Sequence, residues 1–278
     1  MNVSRRTSAV LADSATLLVA VIIYVIPFVF VFLTAAKTPA EAGLFQFNLP
    51  DHFQLLKNIR EVVTFGDNKM LRALWNSTII TAGSIVIMIA LASLVAVVLQ
   101  RRSDRVASIA GAIMLAGLII PPAVVPTVFL LQRLGLFTTL LSMILVDVAF
   151  NIPFAILILR AFVGTIPREL DEAAIVEGAS PLRVFSSVLF PLLQPAIMTV
   201  VITATVAIFN DFVGPLYFLP GANNVTAPLT LFSFMSQFNS QWNLVFADVV
   251  VVTILPLIAF VFFQKQLVSG ITSGAIKG

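Results

Sequence analysis

Four acids fall within nine residues of the stretch IPRELDEAAIVEGASPLRVFSSVLFPLLQP (166–195): Glu169, Asp171, Glu172 and Glu177, interleaved with alanines and followed by Gly178. Carboxylates this close together can pair with the arginines or lysines of another surface, or simply stay solvated. They do not look catalytic. The chain offers no Ser–His pairing and no paired intramembrane carboxylates. With no cysteine and a single histidine, His52, disulfides and a Cys/His metal cluster lack ligands, and no metal site is expected. A Gly-x-x-x-x-Gly-Lys-Ser/Thr phosphate loop is missing too, so any ATP with its Mg must be bound by a partner. The chain is expected to be no enzyme and to need no cofactor of its own.

A second group of polar residues lies inside apolar sequence. Asp147 stands nine residues into the run 138–159, where a charge costs on the order of 2.5–3.5 kcal/mol on insertion scales. Asn151 follows one helical turn later on the same face, with Phe150 and Phe154 beside it. Two readings stay open: a pathway-lining patch offering acceptors and a ring face to a solute, or an interhelical hydrogen bond that locks a bundle. Asn210 and Asp211 end another apolar run, where capping and an outer gate or binding-protein contact are equally compatible. Asp248, near the start of the last run, reads as structural.

The elements that must position these residues are membrane helices. Of 278 residues, 59% are hydrophobic and 10% charged, with mean hydropathy +1.06, whereas a soluble domain carries about 25% charged residues. The net charge of +3 does not point to nucleic acid, because the basic residues flank apolar runs. Those runs are 15–36, 73–100, 106–132, 138–159, 188–210 and about 243–264. Each reaches the roughly 20 residues needed to span a bilayer, so six transmembrane helices are expected. The first is too long for a signal-peptide core of roughly 7–15 residues and reads as an uncleaved helix.

Lysine and arginine bias sets orientation. An even number of spans puts both termini on one side, which collects ten of the sixteen basic residues and is expected to be cytoplasmic. The outer loop 37–72, with NLPDHFQLLKNIREVV, has room for a short surface helix. Segment 213–242 has no charge and is expected to dip back towards the membrane, sheltered by protein. Ala92 with Ala96, and Ala112 with Ala116, are spaced for close helix packing. Pro121, Pro122 and Pro126 predict a broken outer half of the third helix.

Within the acidic stretch, Pro167 suits a first helical turn and Glu169 favours its positive end. Gly178 is placed as the stop, and Ser180–Pro181 restarts a second helix as N-cap and first residue. The outcome is a helix–glycine–helix elbow, 166–190, with one acidic surface and one small and apolar. Composition alone leaves two roles open, a docking element for a soluble partner or a solvated connector.

Spacing decides between them. Glu172-Ala173-Ala174, then Gly178, then Val188-Leu189-Phe190-Pro191, resembles the EAA loop of ABC importer permeases, with Phe190 in place of the usual leucine. LWNSTIIT at the second helix, LGLFTT after the third, NDFVGPL (210–216) and the closing GITSGAIKG extend the resemblance over most of the chain. Together they resemble the shorter permease partner of the carbohydrate-uptake branch, with Phe209 where that branch usually has tryptophan.

The resemblance implies an all-α membrane protein of six transmembrane helices with the type I ABC importer (MetI-like) permease fold, one transmembrane domain over 1–278. It implies a heterodimer with a second permease, two ATPase subunits beneath, and an extracellular solute-binding protein. The location it implies is the cytoplasmic membrane of a bacterium or archaeon, surrounded by lipid. The expected cargo is a sugar or a related polyol or glycerol phosphate. Glu172 and Gly178 are the first coupling candidates, with Ala173, Ala174, Glu169 and Glu177 around them, and the tail 270–278 is a further possible ATPase contact. The rival reading is an ion-coupled secondary transporter using Asp147, which would leave the elbow unexplained.

Overall fold

The structure, a computed structural model, describes residues 3–221, 224–235 and 240–275, and every regular element among them is helical. In chain order these are α1 (Val3–Ala35), α2 (Pro39–Ala42), α3 (Leu55–Arg101), α4 (Arg105–Ile119), α5 (Val124–Arg133), α6 (Leu140–Val163) and α7 (Glu169–Val176). Then come α8 (Pro181–Val184), a π turn (Phe185–Leu189), α9 (Phe190–Leu192), α10 (Gln194–Phe209), α11 (Val213–Phe218), a 3-10 turn (Ala227–Ser233) and α12 (Trp242–Ala275). Among the described residues, four helical stretches are long and apolar enough to cross a membrane: Thr16–Ala35, Leu55–Arg101, Leu140–Val163 and Trp242–Phe262. Two bent pairs, α4 with α5 (112°) and Pro181–Leu192 with α10 (70°), bring the number to six when each is one span.

The breaks follow from proline chemistry. Ile120 precedes Pro121 and is extended (ψ 122°), as a residue before proline prefers, so α4 stops where the prolines predict. The second break falls inside the apolar run 188–210. Pro195 has no N–H to give the carbonyl of Pro191, and the chain turns at Leu193 before α10 begins. Helix α3 is also interrupted: Gly66, Asp67 and Asn68 are left-handed, with φ between 55° and 59°, a conformation glycine, Asp and Asn tolerate best. The surface helix expected in the outer loop is therefore the first part of α3, and its membrane part starts after the kink.

The chain forms two compact units, Met1–Met70 with Thr230–Ile254, and Leu71–Leu229 with Leu255–Gly278. In the first, the end of α1 is tied by polar side chains. Asn58 Nδ2 donates to the carbonyls of Ala35 and Lys37, and Asn243 donates to Asn58 Oδ1. Lys37 is 1% exposed, and its ammonium is satisfied by Gln46 O and Asn48 Oδ1, both at 2.6 Å. Thr38 and Glu41 form a capping box on α2.

In the second unit, α3, α4, α6 and α10 share one apolar core that includes Met88, Ala92, Ala96, Leu159 and Val200. Ala92 and Ala96 are buried as expected, but Ala112 and Ala116 are exposed. Helix α4 turns its neighbouring face inward: Ala107 and Gly111 are buried, and a methyl group on Gly111 would lie 2.9 Å from the Arg160 guanidinium. One residue of a helix rotates its side chain by roughly 100°, so Gly111 and Ala112 belong to different faces. Spacing alone does not choose between them.

Candidate coupling elbow and polar sites

The elbow is built by an acid-rich first turn and a glycine stop. Glu169, Asp171 and Glu172 all lie in the first turn of α7, where the helix dipole favours negative charge. Pro167 does not open this helix, which corrects that expectation: it precedes Arg168, whose carbonyl accepts the N–H groups of Asp171 and Glu172. At the other end Gly178 has φ +85°. The Gly178 N–H donates to Ile175 O and the Ala179 N–H to Ala174 O, the paired bonds of a Schellman stop. Ser180 and Pro181 then open α8 as N-cap and first residue.

The two faces of the elbow differ. Inward, Ala174, Ala179 and Phe185 lie on an apolar cluster of Val97, Val163, Ile166, Val184, Leu189 and Leu193. Asp171 also turns inward and forms an ion pair with Arg101, the last residue of α3: Oδ2 to Nε is 2.6 Å and Oδ1 to Nη2 is 3.2 Å. Both terminal nitrogens of Arg101 donate to Ile166 O at 3.2 Å as well. Outward, Glu169, Glu172, Ala173, Glu177 and Gly178 are exposed, and no hydrogen bond or ion pair joins the side chains of the three glutamates to other described residues. Exposed apolar side chains sit among them: Ile175, Val176 (87% exposed) and Leu182.

Thus the structure gathers five of the six coupling candidates on the outer face and turns the sixth, Ala174, partly inward. Sequence reading missed the strut between Arg101 and Asp171, because the arginine lies 70 residues away and looks like an ordinary membrane flank. It also passed over Ile175, Val176 and Leu182, whose exposure only the fold reveals. In the tail, residues 276–278 lie outside the described residues.

The intramembrane patch is two places rather than one. Asp147 is 4% exposed, with the Ser84 hydroxyl beside it and the Asp211 carboxylate near enough for their charges to interact. Asn151 donates to the backbone carbonyl of Asp147 and, with Phe154 and Thr203, borders a separate crevice of about 50 Å³. Phe150 faces Phe218 across 6.5 Å instead. Asp211 caps the start of α11, accepting from the N–H groups of Val213 and Gly214. The Asn210 amide folds back onto Val206 O. Asp248 is fully buried and accepts from Thr230 Oγ1 at 3.0 Å.

Segment 213–229 explains two of the quoted motifs. Val225, Thr226 and Ala227 are buried, and buried irregular backbone needs partners. Asn76 donates to Val225 O, and Ser77 Oγ accepts from the Ala227 N–H at 2.9 Å; both belong to LWNSTIIT. The carbonyl of Thr138, in LGLFTT, accepts from Asn224.

Apolar helices long enough to cross a membrane, joined by an exposed acidic elbow, are the architecture of a membrane transport subunit. It belongs to the family of binding-protein-dependent transport system inner membrane components, whose model matches residues 88–273. A putative ABC transporter permease of Caldicellulosiruptor is 30% identical over 257 residues, 91% of this chain and 92% of the relative. The melibiose/raffinose/stachyose import permease of Bacillus subtilis is 31% identical over 206 residues, 73% of this chain and 75% of the relative. The diacetylchitobiose uptake permease NgcG of Streptomyces coelicolor is 27% identical, covering 98% and 90%. A solved bacterial ABC transporter that imports alginate has the same fold, with TM-score 0.81 at 18% identity, covering 95% of this chain and 98% of that one. The carrier reading built on Asp147 finds no support in this family.

Proposed function

We propose that residues 1–278 act as one transmembrane permease domain, forming half of the solute pathway of an ATP-driven importer for sugars or related polyols and glycerol phosphates. The names of the relatives support the carbohydrate class, since several of them import saccharides. A second permease completes the pathway, two ATPase subunits bind and hydrolyse ATP, and an extracellular binding protein delivers the solute. The chain sits in the cytoplasmic membrane with both termini inside.

One observation carries the coupling role. The outer face of the elbow presents the side chains of Glu169, Glu172 and Glu177 without partners among the described residues, set among exposed Ile175, Val176 and Leu182. Carboxylates around an apolar patch fit a cleft that supplies arginine or lysine at its rim. Gly178 keeps the two arms of the elbow at their angle.

The test is purification of the complex in detergent with wild type, Glu172→Lys and Gly178→Pro, then reconstitution into liposomes with labelled melibiose, raffinose or diacetylchitobiose. Wild type is expected to bring down ATPase subunits and to show saccharide-stimulated hydrolysis. Glu172→Lys reverses a contact charge. Gly178→Pro imposes φ near −65° where the chain needs +85°; both variants are expected to lose the ATPase or uncouple it. A wild-type chain that purifies without ATPase and still transports a solute would overturn the proposal.

A further inference from the structure

We infer that Arg101 passes movement of the elbow to α3, and through that helix to the buried segment around Val225 and Ala227 at its far end. This inference rests on the reading of the elbow as the ATPase-docking element.

The chain itself joins the elbow to two membrane helices only: α6, through residues 164–168, and α10, through α8, the π turn and α9. Helix α3 is distant in sequence, and Arg101 fastens it. Among the described residues this is the one ion pair the elbow makes. A single guanidinium holds both carboxylate oxygens of Asp171 and the carbonyl of Ile166, so it grips the first turn of α7 and the strand of chain leading into it. Each side chain is 16% exposed, which largely removes the solvent screening that weakens surface pairs. The Nε contact with Oδ2 is ionic only, while the terminal nitrogens donate to Asp171 Oδ1 and Ile166 O and so fix orientation as well as distance, which a lysine ammonium does not.

Helix α3 suits transmission. Its backbone departs from helical angles only between Phe65 and Asn68, and no proline follows. From Ser77 to Arg101 is therefore a continuous rod of about 36 Å at the usual rise per residue. Near its far end Asn76 and Ser77 hold Val225 O and the Ala227 N–H. Clamped at both ends, such a rod carries a shift or rotation of the elbow to that segment without bending, the kind of rigid element through which coupling travels.

The experiment compares Arg101→Asp, Asp171→Arg and the double variant R101D/D171R in the full reconstituted complex, using whichever of the three labelled saccharides stimulates wild type. Saccharide taken up per ATP hydrolysed is measured beside melting temperature and ATPase stoichiometry. Each single reversal is expected to keep its ATPase subunits, because the outer face is untouched, and to lose uptake per ATP about tenfold or more, within the usual range of coupling free energies. The double variant is expected to recover to within about threefold of wild type. Arg101→Lys and Asp171→Asn, which disturb packing least, are expected to lose part of the ratio with a smaller drop in melting temperature than the charge reversals.

Wild-type uptake per ATP in the single reversals, or in Asp171→Asn, would overturn the inference. So would a double variant that melts like wild type yet stays as uncoupled as the singles. Failure of the elbow reading looks different, since the wild-type chain would then recruit no ATPase at all.

Discussion

The acids of the elbow and the acids inside the membrane helices are the same chemistry placed in opposite surroundings. The side chains of Glu169, Glu172 and Glu177 stand exposed without partners among the described residues, while Asp171, a neighbour of Glu172, is turned inward onto Arg101. Asp147 and Asp248 are buried, met by a serine or a threonine hydroxyl rather than by an ion pair. A charge left in water is free to meet a second protein. A charge buried in the fold must be satisfied where it stands. The difference predicts opposite outcomes for the same substitution, loss of partnership in the first region and loss of the fold in the second.

The largest effect belongs to charge reversal at Asp248. A lysine there would face Thr230 and lie close to Lys69, putting a second cation where the structure supplies one acid. Breaking a buried charge arrangement costs about 3–5 kcal/mol, so Asp248→Lys is expected to yield little folded protein or to melt far below wild type in detergent. Glu172→Lys is expected to melt within about 0.5 kcal/mol of wild type while losing its ATPase. Comparable melting of the two variants would remove the distinction.

A smaller effect separates the two readings of Asp147. One of its carboxylate oxygens is buried without a hydrogen-bond partner, and the carboxylate of Asp211 lies near. Asp147→Asn keeps the shape and puts an amide where a carboxylate oxygen is buried without a partner, so stability is expected to hold or to rise by about 1 kcal/mol. Saccharide uptake is expected to remain within about twofold of wild type, because structural surface away from the solute contributes little to turnover. Uptake that collapses at unchanged melting temperature would make Asp147 a pathway residue.

Local signals made much of this legible. Gly178 announced the stop of α7 because a left-handed position after an apolar turn calls for glycine, and Pro121 announced the end of α4. The bend at Leu193 was hidden, because Pro195 follows an apolar run that reads equally well as straight helix. Two kinds of information were absent from the sequence. One was rotation about the helix axis, which buried Gly111 and exposed Ala112. The other was long-range pairing, which joined Arg101 to Asp171 and Asn76 to Val225. Both are decided by neighbours far along the chain, and a single sequence carries no local trace of them.

The smallest effect concerns a third kind of acid, one outside the membrane helices yet fully engaged by its own chain. Glu41 accepts from the Thr38 hydroxyl (2.7 Å), the Thr38 N–H (3.0 Å) and the Asp51 N–H (2.9 Å). These hydrogen bonds, the Thr38 side chain foremost, lower its pKa from 4.5 to about 2. Because the folded value is depressed, its contribution to stability is present above about pH 4.5 and is lost as pH falls towards 2. Glu41→Gln is therefore expected to lower the melting temperature slightly at pH 6, with the gap from wild type narrowing between pH 4.5 and pH 2. ATPase recruitment is expected to be unaffected, because Glu41 lies outside the elbow. A gap that stays constant down to pH 2 would mean that the capping box holds by shape rather than by charge. Glu41 would then be no more than a connector between Thr38 and Asp51.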